Sequence, residues 1–126
     1  MKKIINTNKA PAPLGPYNQA ILAGNTLFVS GQIAIDPKTN QLISTGVEDE
    51  AEQVMLNLKA VLEAAGMTFD NVVKSSIFLN DMNDFAKINT IYGAHFDEAT
   101  APARETVEVS TLPKNVNVEI SMIAVK

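Results

Sequence analysis

Arg104 and Glu119 are the two residues of this sequence whose types could work together on a small anion. A guanidinium presents a rigid fork of N–H donors that grips a carboxylate through two parallel hydrogen bonds. A carboxylate beside that grip can take a proton from water and hand it to a departing group. The spacing allows the two to meet. If the Leu112-Pro113 turn closes a simple hairpin pairing Val109 with Val116, Thr106 falls opposite Glu119 and Arg104 opposite Ser121. Arg104 and Glu119 are then diagonal neighbours on one sheet face, within reach of long side chains. A plainer reading of that placement is a cross-strand ion pair, worth under ~1 kcal/mol when exposed. The pattern alone leaves both readings open.

Other residues offer less. The chain has no Cys, which excludes a disulfide framework, a zinc-thiolate site and a cysteine nucleophile. Its one His excludes a multi-histidine metal site within one subunit and leaves any Ser-His-Asp triad to His95. His95 follows Tyr92 by three positions, at the edge of a helical stripe, and reads as a packed or surface residue. Asp81 and Asp84 are spaced like a carboxylate pair, but helix capping explains them better than a metal. Ser30-Gly31-Gln32 lacks the glycine two positions before the serine that a nucleophile elbow needs. Gly31 reads instead as relief at a strand end or as room for a ligand against backbone. There is no phosphate-binding loop or dinucleotide fingerprint.

These residues need a scaffold, and 126 residues are enough for one domain spanning 1–126 with an ordinary core. The apolar fraction of 46% and charged fraction of 19% are those of a soluble globular protein. A net charge of −4 argues against a basic nucleic-acid-binding face, and the thin scatter of Tyr and Phe argues against base stacking. No apolar run reaches membrane-spanning length and no segment reads as a targeting signal, so a cytoplasmic location is expected.

Two short strands are expected over Tyr17–Ala23 and Thr26–Ser30, joined at Gly24-Asn25. Ala10–Pro16, with three prolines, reads as an extended loop. The clearest element is a helix whose stripe is Val47, Ala51, Val54, Met55, Leu58, Val61, Leu62 and Ala65. Its first turns carry Glu48, Asp49, Glu50 and Glu52, which suit the helix dipole, and Gly66 stands where a terminating glycine belongs. A strand over Asn71–Leu79 leads to a second helix, about Phe85–Ala99, capped by Asp81 or Asn83. Strands over Ala103–Val109 and Asn115–Val125 follow. In the last, Val116, Val118, Ile120, Met122 and Ala124 form one apolar face.

Two helices with single apolar stripes and about six strands imply an α+β fold with the helices on one face of the sheet. The other face is expected to carry Arg104, Thr106, Glu119 and Ser121, yet ends in Ile123 and Val125. A half-apolar face implies self-association.

The sequence resembles the RidA (YjgF) family, the reactive-intermediate imine deaminases. The resemblance lies in Ala10–Tyr17, Val29-Ser30-Gly31-Gln32, Asn83-Asp84-Phe85 with Ile88-Asn89, and Pro102-Ala103-Arg104 through Leu112-Pro113 to Val118-Glu119-Ile120. It runs from about Asn8 to Val125. It implies a chorismate-mutase-like fold: a mixed sheet of about six strands, two helices packed on one face, and a homotrimer around a central β-barrel. Active sites are implied between adjacent subunits, with no metal or organic cofactor. The implied reaction is hydrolysis of 2-iminobutanoate, 2-iminopropanoate and their enamine tautomers, released by pyridoxal-phosphate-dependent dehydratases, to 2-oxoacids and ammonia. That is a metabolite damage-control role with a small 2-imino acid as substrate and no nucleic-acid or membrane partner. Arg104 matches the residue that binds the substrate carboxylate, and Glu119 the one that activates water. Tyr17, Ser30, Gly31 and Asn89 match residues lining the cleft. Thr106, also expected to touch substrate, stands where many members have cysteine; its hydroxyl is still polar and of similar size, so activity is expected to be kept. Other readings are a non-catalytic, small-carboxylate-binding or chaperone-like homotrimer, and a ribonuclease, against which the charge and the missing histidine pair argue. Chorismate mutase activity would rest on fold analogy alone.

Overall fold

The computed structural model describes residues 1–126. Strands β1 (Lys2–Ile5), β2 (Ala20–Ala23), β3 (Thr26–Gln32), β6 (Val72–Leu79), β7 (Ala103–Glu108) and β8 (Val118–Val125) form one sheet in the order β1-β2-β3-β8-β6-β7. β4 (Ile35–Asp36) and β5 (Gln41–Leu42) make a separate small ladder. Helices α1 (Val47–Ala64) and α2 (Phe85–Gly93) pack on one sheet face, giving a mixed six-stranded α+β fold.

α1 forms where its stripe requires. Val54, Met55, Leu58, Val61 and Leu62 are fully buried against Val118, Ile120, Met122 and Ala124 of β8. Truncating any such leucine costs about 2–5 kcal/mol. The helix stops at Gly66, whose φ of 72° suits a residue without Cβ. Gly66 N donates to Glu63 O and Met67 N to Leu62 O, both at 2.9 Å, so the last carbonyls are satisfied.

The strand pairing differs from the expected hairpin. β8, the most regularly alternating strand, takes the centre and is bonded on both sides, to β3 and β6. β7, with sequence ARETVE, has no strongly apolar face and goes to the edge, parallel to β6. Residues 80–102 make the crossover that a parallel pair requires. Residues 113–115 are not a tight hairpin turn: Lys114 and Asn115 adopt φ of 55° and 57°, and Val109 N bonds to Leu79 O. β6 therefore separates Arg104 from Glu119.

Smaller differences follow local chemistry. The strand expected from Tyr17 begins at Ala20, because Pro16 and the loop before it pair with nothing. The last strand begins at Val118 rather than Asn115. α2 ends at Gly93, well short of Ala99. Asp81 caps the short 3₁₀ turn Met82–Asp84 that leads into α2, accepting from Asn83 N at 2.9 Å, rather than capping the helix itself. β1, β4 and β5 were not foreseen.

On the sheet face away from the helices, Ile4, Ile21, Phe28 and Ile123 are successive cross-strand neighbours, with Ile4 and Phe28 about half exposed. This is the half-apolar second face expected from the sequence. Glu105 also lies here, opposite Ser76, bonded by its hydroxyl and by Lys74 Nζ at 2.8 Å. Those contacts, the Lys74 bond foremost, hold its carboxyl below the usual range. No helix is long and apolar enough to cross a membrane.

Candidate active site

Paired residues in adjacent strands share a sheet face. Arg104 is paired with Ser75 and Thr106 with Ile77, both buried under the helices. Glu119 is paired with Phe78, on the opposite face. Arg104 and Glu119 thus lie on opposite sides of the sheet, not on one face as the hairpin register implied. In the ladder they are two strands and three residues apart, roughly 14 Å between backbones.

Each has its own cleft. Glu119 sits with Tyr17, Gly31, Gln32, Ile33 and Pro113, walled by Pro11, Ala12, Pro13 and Leu14. The cleft exists because β3 carries a bulge: between Val29 and Gln32 it has two residues, Ser30 and Gly31, where β8 has only Ser121. The bulge brings Gly31 against the Glu119 side chain. A Cβ on Gly31 would lie 2.8 Å from Glu119 Cδ and 3.0 Å from Oε2, so only glycine fits without moving the carboxylate. Burial without an ionic partner raises the Glu119 pKa above the ordinary carboxyl value, which suits a group that must both accept and return a proton. Tyr17 contributes its ring, its hydroxyl accepting from Leu14 N at 3.1 Å. Ser30 is in the bulge, but its hydroxyl donates to Asn18 O at 2.7 Å, which holds the strand ends together.

Arg104 occupies a second cleft of about 430 Å³, lined by Asn89, Tyr92, Gly93, Phe96, Glu98 and Ala101. Its Nη1 donates to Asn89 Oδ1 at 2.7 Å. The guanidinium carbon lies 5.1 Å from the Tyr92 ring centre and 5.7 Å from that of Phe85, in cation–π range of both. Tyr92 is fixed in turn by its hydroxyl, 2.9 Å from Ser75 Oγ. Burial raises the Tyr92 pKa, against the opposing effects of the Ser75 bond and the Arg104 charge, so the phenol stays neutral. Two residues along from Arg104, and on the same face, the Thr106 hydroxyl is buried with no hydrogen-bond partner. The arrangement leaves most of the guanidinium's donors free for an anion.

Of the residues singled out in the sequence, Arg104, Asn89 and Thr106 share one face, and Tyr17, Ser30, Gly31 and Glu119 belong to the other cleft and its bulge. Sequence reasoning missed the aromatic support of Arg104. Phe85, Asn89 and Tyr92 fall at i, i+4 and i+7 of one helix, a spacing that places the two rings on the same face as Asn89, the one of the three that the resemblance points to. The loop walls Pro11, Pro13 and Leu14 were also missed. His95 is structural: its Nε2 lies 2.8 Å from Glu52 Oε1, tying the end of α2 to α1. No group of three or more His, Asp or Glu side chains converges anywhere in the chain.

Fold and clefts together define a small α+β protein bearing two unlike clefts, one around an arginine and one around a carboxyl of raised pKa. Comparison with known proteins gives that class its family. Residues 7–126 match the family described as Endoribonuclease L-PSP. The chain is 60% identical over 124 residues to a RutC family protein of Synechocystis, spanning 98% of this chain and 95% of that one. It is 46% identical over 126 residues to the 2-iminobutanoate/2-iminopropanoate deaminase of Mus musculus, spanning 100% of this chain and 93% of the relative. A solved structure of the Rid protein family from Yersinia pestis superposes with a TM-score of 0.97 at 44% identity, covering both chains completely. The chain belongs to this family, the one its motifs resemble.

Proposed function

We propose that the protein is a deaminase of small 2-imino acids, 2-iminobutanoate and 2-iminopropanoate among them, working as a cytoplasmic homotrimer. Each site joins Arg104, Asn89 and Thr106 of one subunit to Tyr17, Ser30, Gly31 and Glu119 of the next. The observation that carries this reading is the placement of Arg104 and Glu119 on opposite faces of one sheet, in separate clefts, with no cation lining the Glu119 cleft and only the exposed Glu98 carboxylate in the Arg104 cleft. A single copy cannot bring both to one small substrate; two copies can. The apolar row through Phe28 and Ile123 supplies a surface for such an assembly.

The chemistry follows from the parts. Arg104, steadied by Asn89 and two aromatic rings, holds the substrate carboxylate. The protonated imine presents an electrophilic carbon. Glu119, with its raised pKa, takes a proton from a water as that water's oxygen bonds to the carbon, giving a carbinolamine. The proton passes to nitrogen, the carbon–nitrogen bond breaks, and the hydroxyl proton is lost as the carbonyl forms. Overall, iminium and water become 2-oxoacid and ammonium. Such imines are released by pyridoxal-phosphate-dependent serine and threonine dehydratases, whose products this protein would clear before they damage other enzymes.

The test is a coupled assay in which a threonine dehydratase generates the imine while semicarbazide competes for it. Wild-type protein lowers semicarbazone yield and speeds 2-oxobutanoate release; folded Arg104→Ala does neither. No suppression by well-folded wild type would refute turnover and favour a protein that only binds small carboxylates.

A further inference from the structure

We infer that Gln19 is a positioning residue that holds the proline-rich wall of the Glu119 cleft in place. The inference rests on the deaminase reading of that cleft and assigns a role to a further residue of its lining.

Gln19 is only 2% exposed, which is unusual for a neutral amide with four hydrogen-bonding sites. Its main chain is pinned to the body, N to Asn6 Oδ1 at 3.0 Å and O to Ser30 N at 2.9 Å. Its side chain is spent entirely on the loop. Oε1 accepts from Thr7 N at 2.6 Å. Nε2 donates to the carbonyls of Thr7 at 3.0 Å, Ala10 at 3.2 Å and Pro11 at 2.8 Å. Two N–H bonds serve three carbonyls, so one is shared.

The loop has little else. Pro11, Pro13 and Pro16 carry no N–H, and no main-chain hydrogen bond joins residues 8–14 to the body. Leu14 N bonds only to the Tyr17 hydroxyl, within the loop itself. Apart from the packing of the Ala10 methyl in the core, Gln19 is what ties this segment down. The segment supplies one wall of the Glu119 cleft and, through Leu14, restrains Tyr17. Without the Gln19 amide the closed loop becomes one of several conformations. Apparent ligand affinity then falls by the fraction of molecules still closed. Arg104 and Glu119, which lie on strands, keep their places, so binding suffers more than the chemical step.

The experiment compares wild type with Gln19→Met, which keeps length and apolar bulk, and Gln19→Glu, which keeps shape but cannot donate when ionised. Amide hydrogen exchange, affinity for 2-oxobutanoate and imine turnover are measured on each intact protein. The expected result is exchange at Leu14, whose amide is held by the Tyr17 hydroxyl, faster by about tenfold in both variants, and at Thr7 as well in Gln19→Met, which removes the acceptor of that amide, with amides of β8 unchanged. Kd for 2-oxobutanoate and KM for the imine rise about fivefold or more, while kcat stays within about twofold. Unchanged loop exchange overturns the inference. So does faster exchange spread equally into β8, or a loosened loop with unaltered Kd. If wild type neither binds 2-oxobutanoate nor hydrolyses imine, the deaminase reading fails, and the exchange pattern alone decides whether Gln19 holds the loop.

Discussion

Two inactive variants should make an active protein when their subunits mix. On the proposed mechanism, Arg104→Ala removes the carboxylate grip and Glu119→Ala removes the proton carrier. Two charge-assisted hydrogen bonds at about 1.5–3 kcal/mol each make the Arg104 loss worth about 10²-fold or more. The two residues lie on opposite sheet faces, so the proposed site joins Arg104 of one subunit to Glu119 of its neighbour. In trimers refolded from an equal mixture, a site is whole when its first subunit keeps Arg104 and its second keeps Glu119. Random assembly gives each condition a probability of one half, so about one quarter of the sites, and about one quarter of wild-type turnover, return. Both variants would be unfolded in guanidinium, combined, refolded and assayed by semicarbazide competition, beside each variant refolded alone. Recovery near one quarter supports sites shared between subunits. No recovery above the separate variants, from mixed trimers verified by mass, would refute the reasoning outright, since it would mean that each subunit furnishes both groups to one site.

Further outcomes follow from individual contacts. Gly31→Ala puts a methyl 2.8 Å from Glu119 Cδ and pushes the carboxylate out of place. We expect kcat/KM to fall about 10²-fold with the fold intact by circular dichroism. Glu119→Gln should abolish turnover yet stabilise the protein at neutral pH. Its folded pKa is raised by burial, so ionised Glu119 opposes folding above that pKa. As pH falls through the raised value toward the ordinary 4.5, the folded state binds the proton first and wild type regains stability. Urea unfolding at neutral and acid pH should find the advantage of Glu119→Gln shrinking on acidification; an advantage that grew would contradict the sign. Thr106→Val loses no hydrogen bond and relieves a buried, unpartnered hydroxyl. It should raise stability by about 1 kcal/mol in chemical denaturation and weaken 2-oxobutanoate binding in calorimetry.

The elements that depend on local pattern were legible in the sequence. The α1 stripe, its Gly66 stop and the alternating apolar face of β8 all stand where expected, because burial of one face dictates period and length. Arg104 and Glu119 were picked out by type and by motif. What could not be read was their relation. Alternation says that Arg104, Thr106 and Glu108 share a side of β7, but neither side of that strand is apolar enough to say which meets the helices. Assigning it depended on pairing β7 with β8, and the true partner, β6, is distant in sequence. A wrong partner reversed the face. Gln19 was invisible for a related reason. A polar residue beside a strand reads as exposed unless the segment that buries it is known, and that segment is a proline loop without a periodic signal.

The division of chemistry between two sheet faces also bears on when the protein can act. A newly made chain would fold with a full core under α1 and α2, yet hold only halves of sites. Specific activity would then depend on concentration, falling faster than linearly once dilution separates the subunits, while the spectroscopic signature of the folded chain persists. Cells would gain no partial activity from unassembled copies, and a substitution on the Phe28–Ile123 row could silence the enzyme from a distance without disturbing either half-site.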